Sequence, residues 1–326
     1  MPRHHTAYDE EDFAAIMRHA DGSTIRTDAD GIFLARELDY VKSRAYDVKY
    51  ADLSGMRVVP VVTDTPSWAE TITYRMWDEV GMAKIIANYA DDLPRVDVFG
   101  TEYTSRIRTL GDAYGYNLQE IEAARGVGKP LDAMKARVAR NMIDRKLNQI
   151  IWTGDEASGL QGVITHPNIT RAPVDAGAST GTSWDGKTGP EIYADVADAL
   201  VGIATGSQQM HRANRVVLPG GKLTKLQTTF FDVAGTDGRT VFSALTANFP
   251  GVTFDTAEEL SGISAGGTSA MIVGEFNDTN MAHEFVKPFT QLPPQARNLE
   301  WVINCLSRTG GIVVRYPLAF AVMEGI

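Results

Sequence analysis

The chain has 326 residues, 44% of them apolar and 22% charged, with a net charge of −10 and a single cysteine. That length is enough for one large domain, or two to three small ones, around a sizeable core. The acidic balance excludes a protein that wraps nucleic acid by charge, which needs a basic footprint; enclosing nucleic acid without gripping it remains compatible. Cys305 stands alone, which excludes an internal disulfide framework and fits a reducing compartment.

In chain order, "MPRHHTAYDEEDFAAIM" carries acids where a signal peptide needs an apolar stretch. No run of about 18 apolar residues follows, so the expectation is a soluble protein made inside the cell, with no membrane partner. Residues 8–20 predict a helix, with Phe13, Ile16 and Met17 at helical spacing and acids in the first turn. "DGSTIRTDADG" (21–31) is a polar linker, and a second helix follows with Phe33, Leu34, Leu38 and Val41 on one side. Short helices on polar linkers have no core of their own and must lie on something else. They read as an N-terminal arm.

Over 68–110, "WAETITYRMW" alternates polar and apolar residues and "FGTEYTSRIRTL" does so more loosely. Turn chemistry between them concentrates at Asp91-Asp92-Leu93-Pro94. The pattern predicts a long two-stranded β-hairpin with its tip near residues 90–95. Such an arm is marginal by itself in water. Ile85, Ile86, Tyr89 and Leu93 therefore need a partner, and a second copy of the chain is the natural one. Asp91, Asp92, Pro94 and Arg95 form an exposed turn whose charges would set register at a contact between subunits.

A rod follows, opened by Gly128-Lys129-Pro130, since proline fits the first helical position. Leu131, Met134, Val138 and Met142 make an apolar stripe, continued by Ile143, Leu147, Ile150 and Ile151 as the face drifts. Lys135, Arg137, Arg140, Arg145 and Lys146 take the other side. The expected helix runs over 130–153 through Trp152, on the order of 35 Å at about 1.5 Å per residue. Gly154 then ends it in a left-handed conformation, so that the chain stops and reverses.

From 190 to about 285 short elements alternate. "GPEIYADVADALVGIATG" is an amphipathic helix, "RVVLP" a strand, "GGKLTKLQTT" a further helix, and "VTFDTAEEL" and "AMIVGEF" are strand-like. That alternation predicts an α/β domain inserted after the rod. "NLEWVINCLSRTGGIVVRYPLAFAVMEGI" reads as two strands around a turn at Arg308-Thr309-Gly310-Gly311.

Candidate chemistry is sparse. "LPGGKLTK" (218–225) follows a strand and opens a helix, but Val216 stands where a phosphate loop needs its first glycine and Leu223 where it needs a hydroxyl. It is taken as a turn and helix start. His4 and His5, near Asp9, Glu10 and Glu11, lack the spacing of a metal site, and "DADG" (28–31) lacks the remaining ligands of a calcium loop. Cys305 lies in an apolar strand and reads as packing; as a nucleophile it would need His283, the one histidine near it in sequence. The basic side of the rod is a solvated face, or meets acidic neighbours on another subunit. No catalytic residue, metal ligand or cofactor is expected.

The order of parts carries more. "FLARELDYVKSRAYDVKY", "ETITYRMWDEVGMAKIIANYADDLPRVDV", "AYGYNLQEIEAA" and "IIWTGDEASGLQGVITHPNI" resemble, in this order, segments of the major capsid proteins of tailed bacteriophages. Those proteins share the Hong Kong 97-like fold with encapsulin nanocompartments. The resemblance implies an α+β chain: N-terminal arm over 1–55, extended hairpin (the E-loop) with flanking strands over 56–110, and peripheral domain over 111–189 with the spine helix 130–153. An axial domain over 190–285 follows, and C-terminal strands over 286–326 return to the peripheral domain. Some relatives cross-link through an E-loop lysine; Lys84 lies there, but no partner residue is identified and no cross-link is expected. Relatives with a fused scaffolding segment have a long N-terminal extension, and with the short arm read here no such segment is expected.

The expected function is a shell protein that self-assembles into the hexamers and pentamers of an icosahedral head. It would enclose double-stranded DNA without sequence-specific binding; scaffolding would come from a separate protein or be unnecessary, and portal and decoration proteins are candidate partners. Such a protein resides in the virion and assembles in the host bacterial cytoplasm. The alternative keeps the fold and changes the contents to an enzyme, as in an encapsulin. A third reading, from another class, is an enzyme whose α/β domain binds a small molecule through "LPGGKLTK".

Overall fold

A computed structural model describes residues 53–80, 97–117, 119, 120, 122, 131–178, 181–232, 238–298 and 300–326. The arm expected over 1–55 lies almost wholly outside these residues, as do the hairpin tip, Pro130, "DADG" and the paired histidines. In chain order the elements begin with α1 (Gly55–Val58), β1 (Val61–Val62), β2 (Thr71–Val80), β3 (Asp97–Arg106), β4 (Arg108–Asn117), α2 (Leu131–Thr153) and β5 (Thr170–Pro173). Then come α3 (Gly189–Gly206), β6 (Arg215–Leu218), α4 (Gly220–Thr228), α5 (Val241–Asn248) and β7 (Thr253–Thr256). The last five are β8 (Ala270–Gly274), β9 (Met281–Gln291), β10 (Gln295–Arg297), β11 (Glu300–Val314) and β12 (Phe320–Glu324).

β11 is the axis of one five-stranded sheet, ordered β1-β9-β11-β10 with β4 also paired to β11. Its first part pairs with β4, from Glu300 opposite Asn117 to Thr309 opposite Arg108. Its second part pairs with β9, ending at Val314 opposite Met281. The other five-stranded sheet runs β5-β12-β8-β6-β7, and α3, α4 and α5 serve it. β2 and β3 pair only with each other.

Several expectations change here. Gly310 and Gly311 do not turn the chain: the register shifts between Leu306 and Gly311 mark a β-bulge inside one strand, and Gly311 has φ +74°. A glycine pair suits a hairpin turn and a bulge equally well, so the sequence could not separate them. Nor do the C-terminal strands return together, because β12 joins the α/β sheet beside β8. That sheet also recruits β5, whereas β9, starting at Met281, belongs with β11. Finally, the hairpin strand stops at Arg106 and a new strand starts at Arg108, with Ile107 buried between them.

Three apolar clusters hold this together. α2 turns Ala139, Ile143 and Leu147 onto Cys305, Leu110, Tyr114, Phe285, Phe289 and Ile303. The second joins the end of α2 to both large sheets through Ile151, Trp152, Ile272, Met281, Ile312 and Phe320. The third packs Ile192, Val196, Leu200 and Ile203 of α3 against Val216, Leu218, Met271 and Val273. α3 starts cleanly because Glu191 accepts from the backbone N–H of Thr188 (2.7 Å) and of Ala178 (2.6 Å). Those donors hold its carboxyl at about 2.

Gly154 performs the expected stop. Its φ is +73°, and its N–H still donates to Ile150 O at 3.0 Å. The chain then doubles back, so that Val163 N–H and Ile164 N–H reach Ile151 O and Trp152 O, each at 2.9 Å. Helix carbonyls left without an internal partner are thereby satisfied. A Cβ on Gly154 would stand 2.5 Å from Leu160 O, so neither the torsion nor the space admits another residue.

Candidate assembly surface

The finger formed by β2 and β3 is an unbroken ladder from Thr71 opposite Arg106 to Val80 opposite Asp97. Alternation separates two faces. One carries Thr73 and Thr104, whose hydroxyls are 3.1 Å apart, and Arg75 paired with Glu102 at 2.7 Å. Trp77 on the same face lies over Gly100, where a Cβ would come within 2.8 Å of its ring. The opposite face carries Ile72, Tyr74, Met76, Phe99 and Tyr103, with the two tyrosine rings stacked at 5.3 Å. Trp77 is 66% exposed, Phe99 59% and Val98 54%. A two-stranded ribbon that leaves such groups in water is incomplete by itself.

At its root the finger is pinned to the large sheet. Ile107 N–H donates to Glu70 O at 2.9 Å, closing the base. Arg308 reaches Ala69 O at 2.7 Å and also Ser67 O, and Ser105 Oγ donates to Gly310 O at 3.0 Å. Glu284 is buried between Arg315 (3.1 Å) and Thr65 (3.4 Å). Burial pushes its carboxyl up, with Arg315 pulling the other way. Beside the root is an open groove of about 670 Å³ between Tyr74, Met76, Tyr103, Arg106, His166 and Arg315. A wide, polar trough of this kind suits a macromolecular contact better than a small ligand, which prefers an enclosed apolar site.

The spine residues divide. Leu147 and Trp152 are buried, and Trp152 Nε1 donates to Ser54 Oγ at 3.0 Å. Met134, Val138 and Met142, expected to share one stripe with Ile143, Leu147 and Ile150, are instead 51%, 56% and 39% exposed. At about 100° per residue, Ala139, Ile143, Leu147 and Ile150 form the inward face, and the methionines and valine belong to a second stripe pointing away from it. Leu131 is the first residue of α2, and Gly154 caps its end. Ile85, Ile86, Tyr89, Asp91, Asp92, Leu93, Pro94 and Arg95 lie outside the described residues.

The remaining chemical candidates have structural partners. Lys222 and Lys225, which suggested a phosphate loop, both pair with Asp185, at 3.5 and 2.7 Å. Cys305 is buried with its thiol pushed up by burial, and it pairs with Gln291, whereas His283 pairs with Ile312 further along the same strands. His283 Nε2 is 2.9 Å from Thr309 Oγ1, and burial holds the imidazole down at about 4. Among the described residues no three His, Cys, Asp or Glu side chains cluster to hold a metal, and no helix is long and apolar enough to cross a membrane.

A profile of the major capsid protein family matches residues 81–326. The chain belongs to that family. The capsid of Myoviridae phage XM1 has the same fold, with a TM-score of 0.79 at 20% identity over 91% of this chain and 100% of that one. The capsid of an empty GTA particle gives 0.56 at 13% identity, over 89% and 95% of the two chains. A virus-like particle from Pyrococcus furiosus gives 0.52 at 14% identity, over 82% and 91%. No curated protein matches by sequence. The capsid protein thus has the Hong Kong 97-like fold, and its family builds shells of many copies. For such a protein the exposed residues of the finger are candidates for contact with neighbouring copies. Phe99 and Val98 were missed individually because "DVFGTEYT" alternates too loosely to show which residues face outward; the stricter "TITYRMW" does show it.

Proposed function

We propose that this capsid protein is the shell subunit of a tailed-bacteriophage head, assembling as hexamers and pentamers around double-stranded DNA. The observation that carries this reading is the finger, a projecting ribbon that leaves Trp77, Val98 and Phe99 mostly exposed. Burying Phe99 or Val98 against a neighbour is worth about 1.5–3 kcal/mol each. A heterologous contact repeated around a closing rotation generates rings. In this reading the finger is the E-loop, the sheet around β11 with α2 is the peripheral domain, and the sheet β5-β12-β8-β6-β7 is the axial domain. Residues 1–55 act as the N-terminal arm. The net charge of −10 keeps packaged DNA from adhering to the wall. An enzyme-filled compartment has less support, since the family model is that of major capsid proteins and the phage XM1 capsid aligns at a TM-score of 0.79.

The test is direct. Purified full-length protein is examined by analytical ultracentrifugation and negative-stain microscopy across concentration and salt. Rings or closed shells are expected, and a species that stays monomeric under every condition would refute the reading.

A further inference from the structure

We propose that Gly310 and Arg308, on the bulge of β11, are positioning residues that aim the finger. Both finger strands meet the bulge at one point. Ile72 of β2 packs where Gly310 has no side chain: a Cβ there would stand 2.6 Å from Ile72 Cδ1 and 3.1 Å from Glu284 Cβ. Ser105 of β3, the register partner of Ile72, donates its hydroxyl to Gly310 O at 3.0 Å. The approach to the finger is held by Arg308, whose fork reaches Ala69 O at 2.7 Å and Ser67 O. Its buried Nε has no hydrogen-bond partner among the described residues, so those two carbonyls place the guanidinium.

The mount itself is stiff. Thr309 is fully buried, and its hydroxyl joins His283 Nε2 (2.9 Å), Glu284 O (3.2 Å) and Gly311 N–H (3.0 Å). Bulges re-aim the strands around them, and here the re-aimed element is a lever. Val98 lies seven rungs beyond Ser105 on β3, on the order of 23 Å at about 3.3 Å per residue. A Cβ at Gly310 would overlap Ile72 Cδ1 by about 1 Å, with Glu284 Cβ closing the other side. The overlap is relieved either by turning the δ-methyl or by moving β2 at its root, and over about 23 Å each degree of tilt at the root carries Val98 about 0.4 Å. Glycine at this position therefore lets both finger strands seat on the bulge without that overlap.

The geometry stands apart from the shell reading; only its consequence for assembly rests on that reading. The experiment uses the full-length chain held below its assembly concentration. Spin labels are placed at Val98→Cys and Asp198→Cys, both exposed, while native Cys305 is buried and stays unlabelled. Pulsed EPR of the parent should give one narrow distance. Gly310→Ala should shift it by more than the width of the parent distribution, and adding Ile72→Val, which removes Cδ1, should bring it back. Arg308→Lys keeps the charge but cannot fork two carbonyls, and should broaden the distribution. Shell yield should fall at least tenfold in Gly310→Ala and recover in the double variant. An unchanged distance in Gly310→Ala, or a shift that Ile72→Val leaves in place, overturns the proposal. If Gly310→Ala does not fold, a parent-like distribution in Arg308→Lys overturns it instead. Should the parent never assemble, the shell reading fails while the distances still decide this one.

Discussion

Lys187 Nζ lies 2.6 Å from Asp195 Oδ2, with both side chains almost completely buried. Trp184 Nε1 donates to the same oxygen at 2.8 Å, and Lys187 also donates to Asp175 O at 2.5 Å. The pair thus ties the loop before α3 to the helix, under the second sheet. Burial pushes the Asp195 carboxyl up, against the pull of Lys187 and Trp184. Removing the cation leaves an uncompensated buried charge, so Lys187→Met should cost about 3–5 kcal/mol. The sign with pH follows from the raised carboxyl: its charge opposes folding above the unfolded value, and the penalty is relieved as pH falls through the folded one. Without Lys187 the carboxyl rises further. The deficit in urea unfolding should therefore be largest at neutral pH and above, and shrink as pH falls and the carboxyl takes up its proton. His283, held at about 4 by burial, stays neutral in the fold; it costs stability below about pH 6.5 in parent and variant alike, so the difference between them isolates Asp195.

α2 presents two apolar faces, and they differ in what supports them. Ile143 packs into the cluster around Cys305, whereas Val138 is 56% exposed. Ile143→Ala should cost about 2–5 kcal/mol in chemical denaturation, and Val138→Ala less than about 0.5 kcal/mol. Equal effects would mean that the helix sits rotated from the orientation described. The same helix shows what a sequence makes legible. Its length and its end at Gly154 are readable, because helical periodicity and left-handed glycine are local properties. Which of two apolar stripes faces inward is not local; it depends on Leu110, Tyr114 and Phe289, residues brought to the helix by distant strands. The bulge at Gly310 and the crossing of β12 into the α/β sheet are likewise set by pairing partners far away in the chain. The finger was legible as strands from its alternation, while its aim depends on a glycine about 240 residues from Ile72.

At the scale of the molecule, three clusters form the buried core of the described residues, while exposed apolar groups lie on the finger and also elsewhere, Trp68, Met210 and Phe230 among them. The finger leaves Trp77, Phe99 and Val98 in water. Substitutions on it should therefore separate folding from assembly. Phe99→Glu removes no intramolecular packing of consequence, so thermal unfolding of the dilute subunit should change by less than about 0.5 kcal/mol. In the shell it withdraws about 1.5–3 kcal/mol from each copy of one contact, roughly a 10- to 150-fold weakening per contact. Because each subunit makes several contacts at once, the loss compounds around the ring. The critical concentration for assembly, followed by light scattering, should rise at least about tenfold. A variant that assembles at the parent concentration would place this face of the finger outside the subunit contact. A variant that loses thermal stability in step with assembly would show instead that the finger is packed against its own chain in solution.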